Sequence, residues 1–160
     1  MGFEKLIPRI YKTMKYFLPI LLVSLAFSSC GKKKAAKQAA LDETIIQQYI
    51  ADNNLSATAT GSGLYYVIDA QGSGSGCSSS STVKVAYSGY FTDGVVFDQS
   101  SAAGIEFPLQ GVIQGWTEGI PYFKEGGTGK LLLPSSLAYG RNGSGSIPPN
   151  SVLIFDIELI

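Results

Sequence analysis

Apolar and polar residues follow three rhythms along the chain. From Tyr16 to Phe27 there is almost no alternation, only an apolar run of 12 residues broken by Pro19 and Ser24. That run is shorter than the ~20 residues a membrane-spanning helix needs. Between Lys37 and Asn53 the spacing becomes helical. Leu41, Ile45 and Tyr49 recur every four residues as an apolar stripe with Ile46 and Ile50 beside it, and Asn53-Asn54 supplies a stop. Residues 55–63 are small and polar and read as a linker. From Gly63 the period drops to two. Leu64-Tyr65-Tyr66-Val67-Ile68 has strand composition. Val83, Val85 and Tyr87 alternate with Lys84, Ala86 and Ser88, which predicts a half-buried strand. Asp93-Gly94 is a turn signal ahead of Val95-Val96-Phe97. Residues 115–123 carry Trp116 and Ile120 one helical turn apart, enough for a short helix. Strands are predicted over 130–133 and 152–160. In the last, Leu153, Phe155, Ile157 and Leu159 share a face opposite Asp156 and Glu158. The result is an α+β class, strand-rich with one short helix and an additional N-terminal helix. The intervening 71–82 segment, with seven Ser or Thr and three Gly, is predicted as a flexible loop.

Composition narrows the chemistry. The chain has 160 residues, no His, two Cys and equal numbers of basic and acidic residues. Without imidazole there is no Ser-His-Asp or Cys-His site and no metal site that needs His ligands; no metal or cofactor is expected. The zero formal charge gives no electrostatic footprint for nucleic acid. Charge is unevenly placed. Residues 1–30 hold four basic residues against one acidic, and 61–160 hold four against eight. A basic, apolar leader thus precedes a mildly acidic domain.

The apolar run fits the core of a secretory signal, with Lys15 before it and Phe27-Ser28-Ser29-Cys30 after it. That ending resembles a bacterial lipobox, in which the Cys is acylated after cleavage before it. Residues 1–29 are accordingly assigned to a signal peptide. Met14-Lys15 is the more typical start, with a long leader from Met1 as the alternative. Residues 30–60 are assigned to a lipidated tether and helix, and 61–160 to the folded domain. Lys32-Lys33-Lys34 after Cys30 reads as a solvated tether that can also graze anionic head groups. The expected location is a bacterial envelope, lipid-anchored to the inner or outer membrane. The remaining thiol, Cys77, is either inert and exposed or the seat of an intermolecular disulfide.

Four ordered segments resemble the FKBP-type (macrolide-binding) peptidyl-prolyl cis–trans isomerases. They are Val83-Lys84-Val85-Ala86-Tyr87-Ser88-Gly89 with Asp93-Gly94 and Phe97-Asp98; Phe107-Pro108-Leu109 with Val112-Ile113 and Gly115-Trp116; Gly129-Lys130 leading to Ala138-Tyr139-Gly140; and Ile147-Pro148-Pro149 followed by Leu153 to Leu159. The resemblance implies an antiparallel sheet curled around one short helix. It implies a pocket with Trp116 as floor and Tyr87, Phe97, Phe107, Val112, Ile113, Ile147 and Phe155 as walls. Asp98 and Tyr139 would form its polar, catalytic rim. The implied activity is isomerisation of X-Pro bonds, with proline-containing polypeptides as substrates and macrolides as inhibitors. Two departures are visible. The loop Ser100-Ser101-Ala102-Ala103-Gly104 holds no basic partner for Asp98, and the 141–146 loop is Gly/Ser-rich. Both bear on affinity and substrate range more than on the activity itself, and the missing basic residue implies weaker macrolide binding.

Overall fold

The structure, a computed structural model, describes residues 31–160; the apolar leader, Cys30 and residues 1–29 lie outside the described residues. Residues 39–160 form one compact unit, the second of two into which the chain divides. A helix, α1, runs over 31–52, and its portion from Ala39 belongs to the second unit.

That unit is built on one antiparallel sheet. Its strands are β1 (Thr58–Ala59), β2 (Tyr65–Ala70), β3 (Thr82–Tyr90), β4 (Val96–Gln99), β5 (Ile105–Pro108), β6 (Thr128–Leu133) and β7 (Leu153–Leu159), with the short helix α2 (Gln114–Gly119) between β5 and β6. The order across the sheet is β1-β2-β6-β7-β3-β4, and β5 pairs with the other end of the edge of β3 that β4 occupies. The two short strands thus share one long one, with the 100–104 loop between them. Ser100 fastens that loop to Tyr87: its hydroxyl accepts from the Tyr87 amide at 2.9 Å and its own amide donates to the Tyr87 carbonyl at 3.0 Å.

Alternation decides which side chains meet. Val83, Val85, Leu131, Leu133, Leu153, Phe155, Ile157 and Leu159 point to one face and bury against α2 and the turns around it, with Trp116, Ile120 and Phe123. Ile154, Leu132 and Val67 point to the other face and bury against Ile46, Tyr49 and Ile50 of α1. Helix α2 lies close to β6 because Gly115 and Gly119, one turn apart, have no Cβ. One built at Gly119 would stand 2.6 Å from Leu131 Cδ2, and one at Gly115 would press on Leu133 still harder.

Three differences from the sequence reading have physical reasons. The buried face of α1 is offset from the Leu41-Ile45 stripe: those two are 48% and 40% exposed, whereas Asp42 and Ile46 are 0% exposed. Asp42 turns inward because Ser135 supplies it with two donors, described below. The compact unit takes in α1 from Ala39, which covers the second face of the sheet that 61–160 forms. Finally, the 71–82 segment is fastened at several points. Gly74 N donates to Glu125 O at 3.0 Å, Lys124 N to Gln71 O at 3.1 Å, and Glu125 N to Ser75 O at 3.0 Å. Cys77 in that segment is half-buried against the core, and burial pushes its thiol above its ordinary pKa. It is therefore not the exposed thiol of the sequence reading.

Candidate functional site

A cavity of about 460 Å³ opens where β3, β4, β5 and β7 meet the start of α2. It is lined by Tyr87, Phe97, Asp98, Phe107, Gly111, Val112, Ile113, Trp116, Tyr139 and Phe155. Of the ten pocket residues that the resemblance implied, the structure brings nine together here. Ile147, 8% exposed, belongs to the same buried cluster as Trp116 and Phe155 but is not among the residues around the cavity.

Strand pairing explains the convergence. Tyr87 sits in β3, Asp98 in β4 and Phe155 in β7. The register sets Gly89 opposite both Asp98 and Phe155. Phe107, near the end of β5, lies opposite Val83. Beyond Pro108 the chain makes a single tight turn, Leu109–Gly111, and enters α2. The Thr117 hydroxyl donates to the Leu109 carbonyl at 2.5 Å, tying that turn to the helix.

Trp116 is 4% exposed and forms the bed of the cavity. Three rings stand nearly perpendicular to it: Tyr87 at 5.0 Å, Phe155 at 5.4 Å and Phe107 at 5.5 Å between centroids. Phe97 meets Phe155 edge to face at 5.6 Å and is backed by Phe91 at 5.1 Å. Such edge-to-face pairs are favoured by the ring quadrupole and contribute ~0.5–1.5 kcal/mol each beyond their burial. The Trp116 Nε1 is buried without a hydrogen-bond partner among the described residues, so the bed offers the cavity no polar atom.

The polar atoms stand at the rim. The Tyr87 hydroxyl donates to Asp98 Oδ2 at 2.7 Å. The partner of this carboxylate is thus a phenol from the neighbouring strand. Burial, then the hydrogen bond to Asp98 and its charge, raise the Tyr87 pKa to about 12. Tyr139 is also raised, first by burial and then by the Asp98 charge. Both phenols therefore stay protonated, as donors, across the physiological range.

Some contributors were not read from the sequence as site residues. Gly111 lines the cavity between Leu109 and Val112 of the second motif segment, and the only hint of it was that position. Gly89 supports the walls. A Cβ there would stand 2.7 Å from Phe97 Cζ and 2.8 Å from Phe155 Cε1, so its bareness makes room for both rings. Phe91, which backs Phe97, carried no local signal at all.

Comparison with known proteins agrees with this geometry. Residues 74–160 match the family described as FKBP-type peptidyl-prolyl cis-trans isomerase. The FKBP-type peptidyl-prolyl cis-trans isomerase FkpA of Aeromonas hydrophila is 44% identical over 133 residues, which are 81% of this chain and 50% of that protein. The chain thus spans half the length of this curated relative. The crystal structure of FkpA from Escherichia coli superposes with a TM-score of 0.69 at 34% identity, covering 98% of this chain and 73% of that one. A peptidyl-prolyl cis-trans isomerase from Pseudomonas syringae pv. tomato gives 0.68 at 31% identity, over 78% and 92% of the two chains. The chain belongs to the FKBP-type peptidyl-prolyl cis–trans isomerase family.

Proposed function

We propose that the protein is a peptidyl-prolyl cis–trans isomerase that assists the folding of envelope or secreted proteins. The observation that carries this reading is the aromatic cavity over Trp116 with Asp98, Tyr87 and Tyr139 at its rim. Rotation about an X-Pro amide faces a barrier of ~18–20 kcal/mol that comes from resonance. The twisted state has lost that resonance, and no bond is made or broken on the way. The task is to hold the Pro ring and favour the twisted amide. The planar amide is the more polar form and loses more on leaving water, so a dry aromatic bed favours the twisted one. Tyr139 donates a hydrogen bond to a substrate carbonyl. Asp98 acts by holding Tyr87 and by its field. Macrolides of the FKBP-binding class occupy the same cavity and change the fluorescence of Trp116, the only Trp in the chain.

Because no step transfers a proton, turnover on an apolar-Pro peptide is expected to be flat from about pH 6 to 8. Tyr139→Phe is expected to lower kcat/KM about tenfold, the loss of one hydrogen bond of ~1–1.5 kcal/mol. Asp98→Val costs at least as much, since it also strips the Tyr87 hydroxyl of its acceptor. A bell-shaped pH–rate profile, or a Tyr139→Phe protein as active as the parent, would overturn this account. The same geometry sets an alkaline limit. Tyr87 holds its proton to about pH 12 when folded against an ordinary value of 10.0. Its contribution to stability is complete below pH 10 and is lost as pH rises towards 12, where the unfolded phenol ionises first. A series of urea midpoints with pH measures that loss.

The finer location rests on the leader. We read Cys30 as acylated, tethering the domain to the bacterial envelope. Cys30→Ala is expected to abolish incorporation of a fatty-acid probe and to release unprocessed or soluble protein; a mutant that still labels excludes the lipobox. A chain begun at Met14 is expected to localise like the whole chain.

A further inference from the structure

We infer that Asp42, on α1 and outside the matched family segment, is a positioning residue for the cavity and acts through the turn that carries Tyr139. This rests on the role proposed above for Tyr139. Asp42 is 0% exposed, in a helix whose neighbouring Leu41 is 48% exposed. A buried carboxylate is costly unless its oxygens are hydrogen-bonded. Here Oδ2 accepts from the Ser135 amide at 2.9 Å and from the Ser135 hydroxyl at 2.6 Å. Ser135 is itself buried, at 2%. It opens the short turn Ser135–Leu137 directly after Pro134, which has no N–H, so its amide is the first donor that turn can offer.

The turn passes the constraint to Tyr139. Leu137 N donates to Pro134 O at 3.0 Å and Ala138 N to Ser135 O at 3.1 Å. On the far side, Asn150 N donates to the Gly140 carbonyl at 2.8 Å. Tyr139 is therefore held between two anchors. One is the Asn150 amide in the loop that follows, and the other is a single carboxylate delivered from 93 residues away in sequence. Two donors from one residue converge on a single carboxyl oxygen. That suits Asp42 to fixing the backbone of a rim residue, which a surface ion pair would do poorly. The segment before the sheet thereby becomes part of the machinery that orients the rim.

The test is a set of peptide-turnover measurements on the full chain, separating kcat from KM. Asp42→Ala, Asp42→Asn and Ser135→Ala are each made alone and combined with Tyr139→Phe. Asp42→Ala is expected to lower kcat about tenfold and Ser135→Ala about threefold, with KM little changed. Asp42→Asn, which keeps an acceptor, is expected to recover part of the loss. Combined with Tyr139→Phe, the Asp42 and Ser135 substitutions are expected to cost less than about twofold more, because the group they position is already gone. The inference is overturned if Tyr139→Phe is impaired while the Asp42 and Ser135 variants keep full kcat. It is overturned equally if their losses are undiminished beside Tyr139→Phe, which would mark a purely structural role. A fully active Tyr139→Phe protein overturns instead the reading of the rim on which the inference stands. Should Asp42→Ala not fold, Ser135→Ala and Asp42→Asn decide the matter in the same way.

Discussion

Replacing Trp116 by alanine is expected to lower the unfolding midpoint by about 10–20 °C and to remove turnover and macrolide binding together. The indole is 4% exposed and is the one ring touched by Tyr87, Phe107 and Phe155 alike. Truncating a buried Trp costs ~3–5 kcal/mol, because the surrounding atoms close the void only in part. The whole unit has about 5–15 kcal/mol to lose, so the effect is large. The functional loss has a separate cause. Without the bed, the three rings lose the one side chain they share, and a Pro ring finds no apolar floor. Circular dichroism gives the midpoint, and a peptide assay at a temperature where the variant is folded gives the turnover. A folded Trp116→Ala protein with activity within about twofold of the parent would show that the cavity is not where the amide turns.

Gly89→Val is expected to reduce kcat/KM by at least about tenfold while costing only ~1–3 kcal/mol of stability. Gly89 sits in β3 opposite Asp98 on one side and Phe155 on the other. Even a methyl group there would approach Phe97 Cζ to 2.7 Å and Phe155 Cε1 to 2.8 Å. These are ring atoms of two cavity walls, so relief comes by tilting the rings into the space a substrate needs. The backbone pairing is untouched, which keeps the stability loss moderate. Gly89→Ala should show the same trend less strongly. Phe97→Leu beside Gly89→Val should recover stability by giving the new side chain room, as a urea midpoint would show. A Gly89→Val protein of native activity would mean that the walls are looser than their contacts imply.

Much of this unit is legible in local pattern. Alternation over 82–90 and 153–159 told which side chains of β3 and β7 face inward, because a strand turns successive residues to opposite faces. Asp93-Gly94 marked the hairpin: Gly94 takes φ +85° and Asp93 Oδ1 accepts from the Val95 amide at 3.0 Å. The four motif segments named nine of the ten cavity residues, because the aromatic and rim residues sit at fixed places within them. Other features left no local trace. Strand β5 is four residues long and ends on Pro108; its pairing with β3 is what makes it a strand.

Local pattern set the α+β class and the inward faces of the long strands, and the four segments that resemble the family implied the residues of an apolar pocket with a polar rim. Only the tertiary structure decided which of these residues meet. Tyr87 and Asp98 are joined because β4 folds back on β3, and Tyr139 reaches the same rim from a loop after β6. It also decided that Asp42, a charged residue beside an apolar stripe, is buried while Leu41 and Ile45 are exposed. Periodicity reports how an element presents its faces. It holds no information on what lies opposite, and the burial of a carboxylate depends on a distant amide and hydroxyl that satisfy it.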